Sequence, residues 1–419
     1  MNIQQLSTGV DTIWVVLTAA MILLMEGGFA LLEAGFVRLK NSVSIIMKVF
    51  VDITFGALCF YLVGFALMFG HDVGGIVGIT GFLLSGDLSH LTFPISIDTY
   101  FLFQSAFVIA VISIVSGAVA ERIQFRAYIL YTILMTMIIY PLSGHWIWGG
   151  GWLGKLGMLD FAGSASIHAL GGFAALAAAR LIGPRLNRFS TGDVTPVVVP
   201  SNLPLASVGA FLLWFGWFGF NAGSTLSATD PRIGHIALTT MLAASSGGAA
   251  TLLFTLFRYT KADAPSVING SLAGLVAITA GCAFVSDKAA ILIGIIAGLS
   301  MIYFTNLLES LKIDDPVGAF PVHGISGIIG TLAVGLFSTD GGLLYGGGIK
   351  LLAIQALGLI VVCIWGYMMT WIGLKVISRF IPIRVTEEEE EIGLDISSHG
   401  IMARSDADFI HLESSLRRR

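Results

Sequence analysis

Eleven stretches of this chain stay apolar over about 17 to 25 residues, the length a helix needs to cross the hydrocarbon core of a bilayer. They lie near 12–36, 43–69, 99–120, 125–142, 164–182, 203–222, 234–257, 266–286, 289–308, 322–338 and 351–378. The rest of the composition agrees: 56% of residues are hydrophobic, only 11% are charged, and the mean hydropathy is +0.88, far above what a soluble domain tolerates. Several runs are rich in glycine, which weakens a helix in water but lets membrane helices pack closely. The first run has neither a basic segment nor a small-residue cleavage site before it and does not read as a cleaved signal peptide.

The polar residues exclude several classes of function. A formal net charge of -4 over 419 residues offers nothing to a nucleic acid. Cys59, Cys282 and Cys363 lie in apolar runs without a CxxC spacing, so neither a disulfide framework nor a zinc site is expected. No nucleophile-base arrangement, metal cluster or phosphate loop points to an enzyme, and no cofactor is expected. The loops set the orientation. Eighteen of the 22 Lys and Arg residues fall after odd-numbered runs or at the C-terminal end, while Lys155, Arg232, Lys288 and Lys350 lie on the other side. Basic residues collect on the cytoplasmic face, so the N-terminus is expected outside and the C-terminus inside.

Two ionisable residues stand out within the apolar runs. His168 opens His168-Ala-Leu-Gly-Gly172 in the fifth run and His323 opens His323-Gly-Ile-Ser-Gly327 in the tenth. An ionisable group at membrane depth is costly and points to function, and a matched pair sharpens that reading to two rings facing each other along a conduction path. Their positions divide the first ten helices into halves of five with opposite orientation. The expected fold is therefore an all-α membrane protein of eleven transmembrane helices, a 5+5 inverted repeat plus a final helix. The membrane domain spans residues 1–383 and a cytosolic tail spans 384–419. Glu26 and Glu33 lie two turns apart on one face of the first helix, which should point into protein. Lys48 and Asp52, four apart, are expected to neutralise each other.

Five passages carry a resemblance. They are Phe29-Ala-Leu-Leu-Glu-Ala-Gly-Phe-Val-Arg38, Gly117-Ala-Val-Ala-Glu-Arg122, Asp160-Phe-Ala-Gly163 leading to His168, Trp214-Phe-Gly-Trp-Phe-Gly-Phe-Asn-Ala-Gly-Ser224, and Asp314-Asp-Pro316 leading to His323. In this order they resemble the ammonium transporter family, the Amt/Mep/Rh group, over essentially the whole chain. The resemblance implies a plasma-membrane homotrimer with a separate narrow pore in each protomer, moving ammonium or ammonia and accepting methylammonium. It implies an outer recruitment site at Phe103, Phe107, Trp148 and Ser224. Phe107 and Phe220 would close the pore entrance, His168 and His323 would line the pore below, and Asp160 would have a largely structural role nearby. Read without the family, Phe103, Phe107 and Phe220 fit ordinary packing, Trp148 an interfacial belt, and Asp160 a helix cap.

Beyond the last run the sequence turns acidic, with Glu387 to Glu391 following Thr386. Thr386 and Glu389 have the spacing of a capping box, so a short helix is expected there, against the plainer reading of a solvated charge run. Gly393-Leu-Asp395 and His399-Gly400 resemble the family's regulatory tail, which implies contact with a neighbouring protomer and with a PII-type signal protein. Ile401 departs from the Glu usual at that place. The ending Leu412-Glu-Ser-Ser-Leu-Arg-Arg-Arg419 supports a rival reading, an ammonium sensor that signals through a cytosolic extension.

Overall fold

A computed structural model describes residues 3–189 and 200–403, and they are almost wholly helical. Ten helices among them are long and apolar enough to cross a membrane. In chain order these are α1 (Ile3–Phe36), α2 (Leu39–Phe69), α3 (Ile97–Ala118), α4 (Phe125–Leu156), α5 (Ser164–Ile182), α6 (Leu203–Gly223), α7 (Ile233–Tyr259), α9 (Asp287–Ser310), α10 (Phe320–Phe337) and α11 (Lys350–Ile377). A shorter apolar helix, α8 (Ala264–Ile278), stands between α7 and α9. Two short helices, α12 (Glu387–Ile392) and α13 (Leu394–His399), close the described chain. Large apolar side chains such as Phe50, Phe211, Phe257, Tyr303 and Ile364 are exposed on the helices' outward faces. Water would penalise such a surface, whereas lipid does not.

Two expected spans need correction. The run at 266–286 is helical only to Ile278, and the residues after it form turns. The carbonyls of Thr279 and Ala280 are taken by the amides of Ala162 and Phe161, each at 3.1 Å, and Ala280 N donates to Ser164 Oγ at 2.7 Å. A non-helical backbone at this depth is tolerated because another segment satisfies it. The run at 125–142 is too short. Helix α4 widens into a π turn at Met135–Ile139 ahead of Pro141, which has no N–H to give, then breaks at residues 148–151 before resuming to Leu156.

Small residues set the closest helix contacts. Between α1 and α6, a Cβ on Gly209 would lie 2.4 Å from Leu32 N and 2.6 Å from Gly28 O, so only glycine lets the backbones approach this far. That packing turns Glu26 and Glu33 inward, where they are 1% and 2% exposed. Lys48 and Asp52 are also buried, but they form no direct ion pair among the described residues. Each is drawn to a neighbouring helix instead: Lys48 Nζ donates to Ser116 O at 2.6 Å, and Asp52 accepts from the Tyr128 hydroxyl at 2.8 Å.

At the end of the molecule near Arg185, a charge network ties the loops to the tail. Arg185 donates through Nε and Nη2 to the two carboxylate oxygens of Asp314, at 2.8 and 2.9 Å, and through Nη1 to Glu121 Oε1 at 2.6 Å. Glu121 Oε2 accepts from Arg38 and, at 2.8 Å, from Asn41 Nδ2. The Asn41 side-chain oxygen Oδ1 accepts from Leu394 N at 2.9 Å, at the start of α13. Lys40 Nζ caps α12 by donating to the Glu390 and Glu391 carbonyls. The capping box expected at Thr386 and Glu389 forms as read. Residues 404–419, which include the ending that supports the sensor reading, lie outside the described residues.

Candidate functional site

Helices α5 and α10 begin alike. Asp160 accepts from the amides of Gly163, Ala165 and Ser166 and from the Ser166 hydroxyl, at 2.8 to 3.1 Å. Asp315 accepts from the amides of Gly318, Ala319 and Phe320, at 2.8 to 3.1 Å. Each carboxylate thus closes the amide-rich start of its helix, where a negative charge is favoured. Three residues after each Asp comes a glycine with positive φ, Gly163 at 116° and Gly318 at 78°. Each helix then opens on a π turn, Ser164–Ala169 or Phe320–Ile325, that carries the histidine. Burial pushes the Asp160 carboxyl up, and the Ser166, Ala165 and Gly163 hydrogen bonds restrain it at about 6.

The two segments cross with almost no space between them. A Cβ on Gly172 would lie 2.2 Å from Gly324 N, and one on Gly327 would lie 2.5 Å from Ser164 O. This crossing brings the imidazoles together: His168 Nδ1 and His323 Nδ1 are 3.2 Å apart, with ring centroids 5.2 Å apart and planes 22° from parallel. One Nδ1 must carry a hydrogen and the other must be bare, so the rings take opposite roles. His168 Nε2 is buried without a partner among the described residues. Trp217 and Phe220 stack along His168 at 5.1 and 5.6 Å, and Phe29 lies 6.3 Å from His323.

Above His168 the aromatic residues form a line. Phe220 lies 4.4 Å from Phe107, which meets Phe103 edge-on at 4.8 Å and lies 6.1 Å from Trp148. Phe103, Phe107, Trp148 and Ser224 border one cavity of about 170 Å³. Trp148 is fixed by donating Nε1–H to the Asp160 carbonyl at 2.7 Å. Ser224 donates to the Phe220 carbonyl at 2.8 Å, which leaves its oxygen lone pairs to accept. The π faces and oxygen acceptors at this cavity suit a small cation that carries N–H donors.

Phe103, Phe107, Trp148 and Ser224 at the cavity, then Phe220, then His168 and His323 therefore follow one another along one line, with Asp160 behind it as a helix cap. Sequence reasoning missed four members of the cavity wall, Tyr100, Gln104, Phe161 and Leu226. Gln104 carries a readable signal, a polar side chain within an apolar run, and its Oε1 is buried without a partner among the described residues. On the far side of His323 is a cavity of about 20 Å³ bordered by Glu33, Ser113 and Asn269. Beyond it, sharing Asn269, Val317 and Gly318, lies one of about 400 Å³ that also touches Arg185, Arg188 and Asp315.

The Ammonium Transporter Family pattern matches residues 13–404. The chain is 44% identical to the ammonium transporter Amt2 of Archaeoglobus fulgidus, covering 94% of this chain and 88% of that one. It is 36% identical to an ammonium transporter of Bacillus subtilis, covering 95% and 99% respectively. Among solved structures, one titled Sensor Amt Protein superposes with a TM-score of 0.90 at 39% identity, over 95% of this chain and all of that chain. Mep2 of Candida albicans superposes with a TM-score of 0.84 at 29% identity, over 91% and 87%. The chain belongs to the ammonium transporter family and is a multi-pass protein of the cell membrane.

Proposed function

We propose that this chain carries ammonium across the membrane as separated ammonia and proton. The observation that carries this reading is the unbroken line of aromatic cavity, Phe107 and Phe220, and paired imidazoles. Moving an ion of ammonium size into a low-dielectric medium has an idealised cost on the order of 20 kcal/mol. A desolvated cation-π contact returns about 2 kcal/mol, so Phe103, Phe107 and Trp148 hold the cation at the mouth but do not carry it through. Neutral ammonia costs only a few kcal/mol in the same surroundings. Ammonium therefore gives up its proton at the entrance closed by Phe107 and Phe220, and the imidazole pair beside Phe220 takes it up. Ammonia passes the imidazoles, which both donate and accept hydrogen bonds, and the proton moves along them. Methylammonium, with three N–H donors, fits the same outer cavity.

The finer architecture follows the same reading. The matched units from Asp160 to His168 and from Asp315 to His323 support a 5+5 inverted repeat with α11 added. The weight of Lys and Arg on the Arg185 side supports a cytosolic C-terminus. Residues 1–383 form the transport domain and 384–419 a cytosolic tail, which meets a PII-type signal protein in a homotrimer of separate pores. A second reading, an ammonium sensor, is favoured by the superposition on Sensor Amt Protein. Ammonium-evoked current in proteoliposomes separates the two. Wild-type current that His168→Ala with His323→Ala abolishes supports transport with the relay, and current that survives the double change removes the relay. No current despite intact ammonium binding favours the sensor.

A further inference from the structure

Beside the pore is a buried polar chain that the scheme above does not use. It runs across α1, α2, α3 and α4. Glu26 Oε2 accepts from Ser113 Oγ at 2.6 Å, and Ser113 Oγ also lies 3.2 Å from Asp52 Oδ2. Asp52 accepts from the Tyr128 hydroxyl, which also faces Ser116, and Ser116 Oγ donates to Glu33 Oε2 at 2.6 Å. All six side chains except Tyr128's phenol are carboxyls or hydroxyls of serine, and every one is at most 2% exposed. Lys48 is the cation within this group, and Asp315 faces Glu33 from the foot of α10.

Three observations point to a proton as the ligand. A hydroxyl has one hydrogen, yet Ser113 Oγ is within bonding distance of two carboxyl groups; both contacts are satisfied when Glu26 or Asp52 carries a hydrogen itself. Glu26 Oε1 is buried without a partner among the described residues, a place where that hydrogen is held or received. The other end of the chain reaches the pore, since Glu33 borders the cavity of about 20 Å³ that His323 also borders. That is room for one molecule the size of water or ammonia. Glu33 lies one helical turn beyond Phe29, whose ring touches His323.

We propose that Glu33 is the group that returns a proton to ammonia after it passes His323, with Glu26 and Asp52 as the proton store behind it. This rests on the transport reading above. In the step, the Glu33 O–H bond breaks and an N–H bond forms, giving ammonium and a carboxylate. Ser116 and Tyr128 pass a proton from the store to that carboxylate. Between turnovers the imidazole pair delivers, across the same small cavity, the proton shed at the aromatic end, so one proton travels per ammonia.

The test is ammonium-evoked current in proteoliposomes for wild type, Glu33→Gln and Glu26→Gln, with ammonium binding at the Trp148 cavity followed by tryptophan fluorescence. Glu33→Gln is expected to lower the current roughly a hundredfold, the scale of a lost general acid, with binding unchanged. Infrared difference spectra of wild type against Glu26→Gln and Asp52→Asn should show the loss of a protonated carboxyl band. If Glu33→Gln does not assemble, Ser116→Ala cuts the same link and should lower the current likewise. Wild-type current matched by Glu33→Gln, or spectra without a protonated carboxyl band, would overturn this proposal alone. A silent wild type with intact binding would overturn the transport reading and this proposal with it.

Discussion

Adding one methyl group at Gly172 should separate the histidine rings by pressing on backbone alone. A Cβ there would lie 2.2 Å from Gly324 N, 2.4 Å from Gly324 Cα and 3.0 Å from the His323 carbonyl carbon. Side-chain carbons essentially never approach other atoms closer than 3.0 Å, so the α5–α10 crossing must open by about 0.8 Å, the difference between 2.2 and 3.0 Å. Neither neighbour can turn aside, because both of the nearest atoms are backbone. If the opening passes to the rings, their Nδ1 separation grows from 3.2 Å to about 4 Å, beyond hydrogen-bonding range. Overpacking of this kind costs about 1–3 kcal/mol in stability, and a misplacement of about 1 Å at a reacting group costs about a hundredfold in rate. The assay pairs thermal melting of the purified protein with ammonium current in proteoliposomes. Gly172→Ala should melt lower and conduct about a hundredfold less. Gly27→Ala, whose Cβ meets nothing within 4 Å, is the control and should match wild type in both. If Gly172→Ala also matches wild type in both, the crossing does not set the imidazole geometry and the reasoning fails.

Two further expectations concern the Arg185 end. Burial works to raise the Asp314 carboxyl, but the Arg185 hydrogen bonds and the charges of Arg122 and Arg185 prevail and hold it at about 2, below its ordinary 3.8. A depressed carboxyl stabilises the fold above its ordinary value and loses that contribution as pH falls through the lowered one, so about 2 kcal/mol should disappear between about pH 4 and pH 2. Melting temperature should fall through that window in wild type more steeply than in Asp314→Asn, and equal slopes would contradict the assignment. Asn41→Ala should leave Glu121 and the Leu394 amide each short of a partner, weakening tail docking by about 1–3 kcal/mol. Hydrogen exchange should rise in residues 384–403 and not in α5 or α10; unchanged exchange in the tail would show that Asn41 does not hold it.

The membrane helices were readable because apolar length is a one-dimensional property: a helix must cover the bilayer with consecutive residues. What failed was local. The run at 266–286 is as apolar as its neighbours, yet its last third turns, because the carbonyls of Thr279 and Ala280 are claimed by a loop more than a hundred residues away. Pairing at that distance leaves no trace in the hydropathy of either segment. The break near Trp148 is different, since Gly149-Gly150-Gly151 follow it directly and mark where the helix cannot hold. Lys48 and Asp52 show the limit of helical spacing as evidence. Four residues apart, they share a face, but Ser116 and Tyr128 on the adjoining helices offer better partners than they offer each other.

The site was readable as far as residue types reveal chemistry, and the device that assembles it was also present in the chain. Asp160 and His168 are separated by eight residues with Gly163 three after the Asp; Asp315, Gly318 and His323 repeat that spacing. Each carboxylate ends the free amides at the start of its helix, each glycine takes a φ that other residues avoid, and each π turn places its imidazole one turn in. The repeat is short and its intervening residues differ, so a search for long internal similarity passes over it. Its physical consequence is larger than its length. Two copies of one cap, hinge and ring unit, pressed together at Gly172 and Gly324, orient both imidazoles with the same local rules. The pair then needs no further side chain to bring the rings into contact. The neighbours of the rings are thereby freed to be apolar, as Trp217, Phe220 and Phe29 are, and an apolar wall is what an uncharged molecule needs and a bare cation cannot use.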